Sequence, residues 1–208
     1  MVTEFLTIHH LTPEQNKIKK IAQKIKDGAI VLYPSDTGFA LGCRLENKNA
    51  IVRIRQIRSL SEKNYLTFIC GSLSNIAEYA NVSTMAYKTI KSLMPGPYTF
   101  VLPASKLVPR FAQNPKRKTS GIRVPESVFI TELIKELGEP LISISAISSD
   151  DFSLPYELIE KISPRVDLVV EMQEYNFSGE STVIDMSGDD FEIIREGAGF
   201  EKARDLIH

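Results

Sequence analysis

Short, largely apolar runs alternate with amphipathic stretches along nearly the whole of this chain, and that alternation leaves few folds open to it. Ala29–Tyr33 is a continuous five-residue apolar run, and Tyr98–Leu102 and Val166–Val170 are largely apolar runs interrupted by Thr99 and Asp167. Runs of this length, bounded by turn residues, read as strands covered on both faces. Between them lie stripes at helical spacing, such as Ile18, Ile21, Ala22 and Ile25, or Ile51, Ile54 and Ile57. Strands that alternate with helices predict an α/β sheet. A pair of short runs around the Gly188-Asp-Asp190 turn predicts a hairpin, so the sheet is expected to be mixed in direction.

Local signals place the elements. Thr12 is the expected N-cap of the first helix, with Pro13 at the first helical position, Gln15 closing a capping box and Gly28 ending it. Further helices are expected at Asn49–Leu60, Ser74–Ala80, Ser83–Leu93, Val128–Leu137, Tyr156–Ile162 and Lys202–Ile207. Further strands are expected at Gly38–Gly42, Tyr65–Cys70, Gly121–Val124, Pro140–Ser145, Ser181–Asp185 and Glu192–Arg195, with a break at Met94-Pro-Gly-Pro97 and a loop from Ser148 to Pro155. A chain of 208 residues, 43% hydrophobic, suits a single domain with one sizeable core.

Charge and cysteine content exclude whole classes. The net charge of −1 argues against a general nucleic-acid coat, so any RNA contact is a local patch. Such a patch is present: Lys116, Arg117 and Lys118 stand on one basic loop with Lys106 and Arg110. A bare run of three cations more often marks a solvated loop, yet cations beside Thr119, Ser120 and Gly121 also suit phosphate oxygens. Cys43 and Cys70 follow apolar runs and read as buried thiols, too few for a disulfide framework. His9, His10 and His208 have no partner at metal-ligand spacing, and the same shortage argues against a Ser-His-Asp hydrolase. No signal peptide or membrane-length apolar run is visible, so a reducing, cytoplasmic setting is expected.

Polar side chains collect at the ends of the apolar runs. Thr37 follows the first strand, Arg123 lies within one, and Ser143 and Ser145 share a strand face. Ser181 opens a strand after Gly179, and Arg195 closes one before Gly197. Ligands of open α/β sheets gather at strand ends. Each residue alone has a plainer reading, as a satisfied core hydroxyl or a surface ion pair; their repetition beside Gly and Pro turns points to an anion. Asp36 and Glu180 suit a general base or a magnesium ligand, and equally local turn bonding, which is the favoured role of Asp36. Arg53 and Arg55 lie on a face expected to be solvated, whereas Arg58 near the helix end can reach a cleft. GxGxxG and GxxxxGK[ST] are both missing.

Five strings together resemble the YrdC family, and its YciO branch in particular. They are Tyr33-Pro-Ser-Asp-Thr-Gly-Phe-Ala-Leu-Gly42, Met94-Pro-Gly-Pro-Tyr-Thr-Phe-Val-Leu102, Thr119-Ser-Gly-Ile-Arg-Val-Pro125, Gly179-Glu-Ser-Thr-Val-Ile-Asp185 and Ile194-Arg-Glu-Gly197. The resemblance implies a single-domain α/β fold, a twisted mixed parallel/antiparallel sheet with flanking helices, over residues 10–200. Residues 1–9 are then an N-terminal extension and 201–208 a C-terminal tail helix. It further implies formation of threonylcarbamoyl-adenylate from L-threonine, bicarbonate and ATP, with Mg2+ accompanying ATP, for t6A modification of tRNA. Thr37, Arg123, Ser143 and Ser181 are the implied substrate contacts, and Arg58, Thr119, Ser145 and Arg195 the implied ATP contacts. Arg58, Arg123 and Ser145 are the implied catalytic set.

The chain departs from the family pattern at three places. Arg58-Ser-Leu60-Ser61 stands where synthases carry Lys-x-Arg before Pro, Ser145-Ala-Ile147 stands for Ser-x-Asn, and Ile69 falls where a histidine is expected. These changes imply a weakened or altered synthase. The alternative is a protein that binds double-stranded RNA or tRNA through Arg110, Lys116, Arg117 and Lys118.

Overall fold

The computed structural model describes residues 2–60, 66–146 and 154–207. Ser61, Tyr65, Ile147, His208 and most of the loop expected from Ser148 to Pro155 lie outside the described residues. In chain order the elements are β1 (Glu4–Ile8), α1 (Gln15–Lys26), β2 (Val31–Pro34), β3 (Phe39–Arg44), α2 (Lys48–Ile57), β4 (Thr67–Ile69), α3 (Leu73–Tyr79), α4 (Thr84–Leu93) and β5 (Tyr98–Pro103). Then follow β6 (Thr119–Arg123), α5 (Val128–Leu137), β7 (Leu141–Ser145), α6 (Pro155–Ile162), β8 (Leu168–Met172), β9 (Thr182–Asp185), β10 (Glu192–Arg195) and α7 (Phe200–Ile207).

The ten strands among the described residues form one sheet, in the order β1-β8-β2-β3-β7-β4-β6-β5-β9-β10. Four of its pairings are parallel: β1 with β8, β8 with β2, β4 with β6 and β5 with β9. The others are antiparallel, including the hairpin of β9 and β10. The mixed sheet expected from the sequence is therefore present.

Helices cover both faces. One core joins Ile51 and Ile54 of α2, Ile76 of α3, Ile90 and Leu93 of α4, Leu158 of α6 and Ala203 of α7 to Phe68, Phe100 and Ile122. The other joins Ile18, Ile21 and Ile25 of α1 and Phe129 and Leu133 of α5 to Tyr33, Ile69, Leu141 and Val170. Because strand side chains alternate, β4 sends Phe68 to the first core and Ile69 to the second. Among the described residues no helix is long and apolar enough to cross a membrane.

The sequence misplaced two features. The first helix begins at Gln15, with Glu14 as N-cap, so neither the Thr12 cap nor the Gln15 capping box forms. His9 takes Thr12 instead: its Nδ1 accepts the Thr12 amide at 3.1 Å and lies 3.0 Å from the Thr12 hydroxyl. The second is β1, which falls within the nine residues set apart as an extension and pairs with β8 from Glu4↔Leu168 to Ile8↔Met172.

Candidate functional site

The face covered by α1 and α5 extends beyond those helices over β4, β6, β5 and β9, and there it floors a cavity of about 820 Å³. That size lies within the range of small-molecule sites, roughly 300–1,000 Å³. Register lays out the floor. Ser143 pairs with Thr67, Thr67 with Gly121 and Gly121 with Val101, which makes one row of small or hydroxylic side chains. The next row holds Ile69 beside Arg123, with Thr99 beside Val183 further along. A Cβ built on Gly121 would meet only ordinary contacts, 3.4 Å from Thr99 and 3.5 Å from Thr67. The protein's own packing therefore does not demand glycine there, and the bare backbone leaves the centre of the floor open to a ligand.

Arg123 rises from this floor at 7% exposure. Its Nη1 donates to the Thr37 hydroxyl at 2.5 Å, and its Nη2 donates to the Asp36 carboxylate, with which it forms an ion pair. Its Nε–H is buried without a partner among the described residues. Burial pushes the guanidinium below the ordinary arginine pKa, and the adjoining Asp36 carboxylate opposes that shift. The turn that presents Asp36 and Thr37 closes with the Ser35 amide donating to the Gly38 carbonyl at 2.9 Å. Asp36 also accepts from the Glu126 amide at 3.1 Å, and its own carbonyl accepts from the Ser178 amide at 2.8 Å. Asp36 is thus more than the turn acid that its Pro-Ser-Asp setting suggests.

A second network lies across the cavity. Arg195 donates from Nε to the Ser181 carbonyl at 3.0 Å and from Nη2 to the Ser181 hydroxyl at 2.9 Å, and that hydroxyl is 2.9 Å from Thr99 Oγ1. Glu180 lies 3.7 Å from Arg195. Gly197 allows β10 to approach: a Cβ there would sit 2.4 Å from the Glu180 carbonyl and 2.7 Å from that of Ser181. The fixed spacing of Arg195 and Ser181 therefore depends on a glycine.

On the remaining wall, α2 ends in a Schellman turn. The Leu60 amide donates to the Arg55 carbonyl at 2.8 Å and the Ser59 amide to the Gln56 carbonyl at 3.2 Å, with Ser59 left-handed at φ 52°. This turn delivers Arg58 and Leu60 to the cavity, where Arg58 Nε donates to the Ser145 carbonyl at 2.8 Å. Ile144, Leu158 and Phe177 add apolar wall.

The structure brings together Thr37, Arg58, Arg123, Ser143, Ser145, Ser181 and Arg195 of the sequence-predicted set. The hydroxyl of Ser143 is already engaged by Tyr33, at 2.7 Å. Thr119, the expected ATP contact, is 2% exposed, lies opposite Pro103 at the start of β6 and is not among the residues that line the cavity, and its Oγ1 has no partner among the described residues. Arg110, Lys116 and Lys118 are exposed on the loop between β5 and β6, away from the lining. Arg117 is drawn to Asp185 and Ser187, at 2.6 and 2.7 Å. Thr99, Thr67 and Phe177 were not foreseen, because only the register places them beside Arg123 and Ser181. Cys43 and Cys70 are buried as expected, and burial pushes the Cys43 thiol up to about 12.

The described residues do not fit a resident metal ion. No group of three or more His, Cys, Asp or Glu among the described residues could hold one. Asp36 is spent on Arg123 and on the Glu126 amide.

Comparison with known proteins agrees with this geometry. The Sua5/YciO/YrdC family model, described as telomere recombination, matches residues 23–197. The Escherichia coli K12 protein YciO is 37% identical over 201 residues, covering 95% of this chain and 97% of YciO. A Mus musculus protein named threonylcarbamoyl-AMP synthase is 28% identical over 198 residues, covering 91% of this chain and 70% of the synthase. The crystal structure of E. coli YciO superposes with a TM-score of 0.91 at 36% identity, over 97% of this chain and 99% of that one. P. abyssi Sua5 complexed with L-threonine superposes with a TM-score of 0.89 at 27% identity, over 99% of this chain and 61% of that one. The chain belongs to the Sua5/YciO/YrdC family.

Proposed function

We propose that the cavity makes a carbamoyl-adenylate, in the manner of threonylcarbamoyl-AMP synthases, from L-threonine, bicarbonate and ATP. The observation that carries this reading is the buried Arg123, whose Nε–H has no acceptor among the described residues and whose guanidinium stands in the cavity floor. A buried donor left unmade costs about 1–3 kcal/mol, so a ligand oxygen at that point gains the whole difference. The L-threonine held by P. abyssi Sua5 supports a carboxylate or carbamate there.

The roles follow from position. Arg123 holds the amino acid's carboxylate or its N-carboxylate, and Thr37 and Ser181 orient the small substrate. Arg58, Arg195 and Ser145 face the nucleotide phosphates. The carbamate oxygen attacks the α-phosphorus, an O–P bond forms, the bond to the β-phosphate bridging oxygen breaks, and pyrophosphate leaves. No protein nucleophile is needed, and catalysis is positioning with charge neutralisation. Leu60 puts an apolar group on the wall where synthases carry a second cation. One preorganised donor is worth roughly 3 kcal/mol, so turnover is expected to be slow.

Pyrophosphate release from ATP, measured with and without L-threonine and bicarbonate, tests the reading. A threonine-dependent signal that Arg123→Ala abolishes is the expected result, and threonine-independent or absent release at high enzyme concentration defeats it. A second reading, RNA binding, draws on the exposure of Lys106, Arg110, Lys116 and Lys118 on one loop. It requires an RNA affinity that falls steeply with salt and drops when Lys116 and Lys118 are neutralised.

A further inference from the structure

Most hydroxyls around the cavity floor are engaged within the protein. Ser143 is 2.7 Å from the Tyr33 hydroxyl, Thr37 accepts from Arg123 at 2.5 Å, and Ser181 is 2.9 Å from Thr99. Thr67 differs. It lines the cavity at the centre of the floor, half-buried, and its Oγ1 has no hydrogen-bond partner among the described residues. A β-branched side chain suits strand β4, but valine would serve the strand equally well. The fold therefore makes no use of the hydroxyl itself.

Gly121 pairs with Thr67, and the space above this glycine has two unlike sides. A Cβ there would lie 3.5 Å from Thr67 Oγ1 and 3.4 Å from Thr99 Cγ2. Thr99 turns its hydroxyl to Ser181 and its methyl towards this space. A ligand carbon settling over Gly121 thus meets a hydroxyl on one side and a methyl on the other. Arg123 stands one row away, since Ile69 pairs with Arg123 as Thr67 pairs with Gly121. Two residues along a strand span about 7 Å. A small amino acid whose carboxylate is held by Arg123 can cover that distance with its side chain.

We infer that Thr67 reads the side-chain hydroxyl of the amino-acid substrate, while the Thr99 methyl packs against the substrate's methyl group. The inference rests on the amino-acid reading of the cavity proposed above and names the residues that set its selectivity. A side chain carrying both groups on one carbon, as in threonine, satisfies both walls. Valine leaves Thr67 without its bond, and serine leaves the Thr99 methyl uncovered.

Calorimetric titration of the full chain with L-threonine, L-serine and L-valine tests it. The parent is expected to bind threonine at least about tenfold tighter than valine, and Thr67→Val to abolish that preference. Thr99→Ser keeps the hydroxyl that meets Ser181 and is expected to cut the preference for threonine over serine about fourfold, the effect of one methyl group. Gly121→Ala, whose added Cβ makes only ordinary contacts, is expected to keep the parent's thermal midpoint and weaken all three amino acids. A parent that binds valine as tightly as threonine, or a threonine-to-valine ratio unchanged by Thr67→Val, overturns the assignment and leaves the proposed function standing. No binding of any of the three by the parent overturns the assignment together with the amino-acid reading.

Discussion

A guanidinium at 7% exposure must have its charge met from within the protein, and Asp36 meets that of Arg123. Removing one partner of a buried pair leaves the other uncompensated, which costs about 3–5 kcal/mol. Asp36→Ala is therefore expected to lower unfolding stability by about 3 kcal/mol in urea, and Arg123→Met in the same chain to recover part of the loss. Two losses that simply add would show that the pair is not coupled. The residue types of this site were legible in the sequence. Arg123 within an apolar strand has no comfortable structural reading, and Thr37, Ser181 and Arg195 stand beside turns. Their partnerships were not legible. Asp36 reads as a turn acid because its neighbours are turn residues, and its ion pair spans 87 positions of sequence. Thr119 stands apart for the opposite reason: its motif fits, yet its position on β6 lies one step beyond the open floor.

At the scale of elements, the caps decide where helices deliver their residues. Ser83 and Ser127 accept from the amides of Ala86 and Ile130, as serines at helix starts should. Thr12 does not, since His9 competes for it, and a contact between loop side chains carries no periodic signal. The end of α2 matters most for the cavity, because its Schellman turn sets Arg58 and Leu60. Its left-handed position is occupied by Ser59, where glycine is the easier residue. Ser59→Gly is expected to raise stability by about 0.5–1 kcal/mol, read as an upward shift in thermal midpoint. A lower midpoint would mean that the Ser59 side chain contributes more than its conformation costs. The edge strand β1 escaped notice because it is only five residues long, Glu4–Ile8, and the adjacent Phe5 and Leu6 break any apolar–polar alternation.

For the whole molecule, the sequence made an α/β sheet of mixed direction legible through alternation and the C-terminal hairpin, whereas strand order was not. Order depends on which runs pair at long range, and β7 between β3 and β4 has no local signature. That order brings Asp185 of β9 under the basic loop, where it ties the loop to the sheet. Its carboxylate accepts from the Ser187 amide at 3.0 Å, from the Ser187 hydroxyl at 2.6 Å and from Arg117 at 2.6 Å. Burial alone would raise its pKa, but these hydrogen bonds outweigh burial and hold it below the ordinary aspartate value. A carboxylate depressed by folding contributes stability above its unfolded pKa, about 3.9, and that contribution is lost as pH falls through the lower folded value. Asp185→Asn is therefore expected to be less stable than the parent near neutral pH, by on the order of 1 kcal/mol, because Arg117 is half exposed and partly screened. The difference should shrink as pH falls below about 4, since the parent is by then losing the same interactions. Urea midpoints of the two proteins between pH 3 and pH 7 measure it, and parallel curves would show that Asp185 does not couple loop and sheet to proton binding.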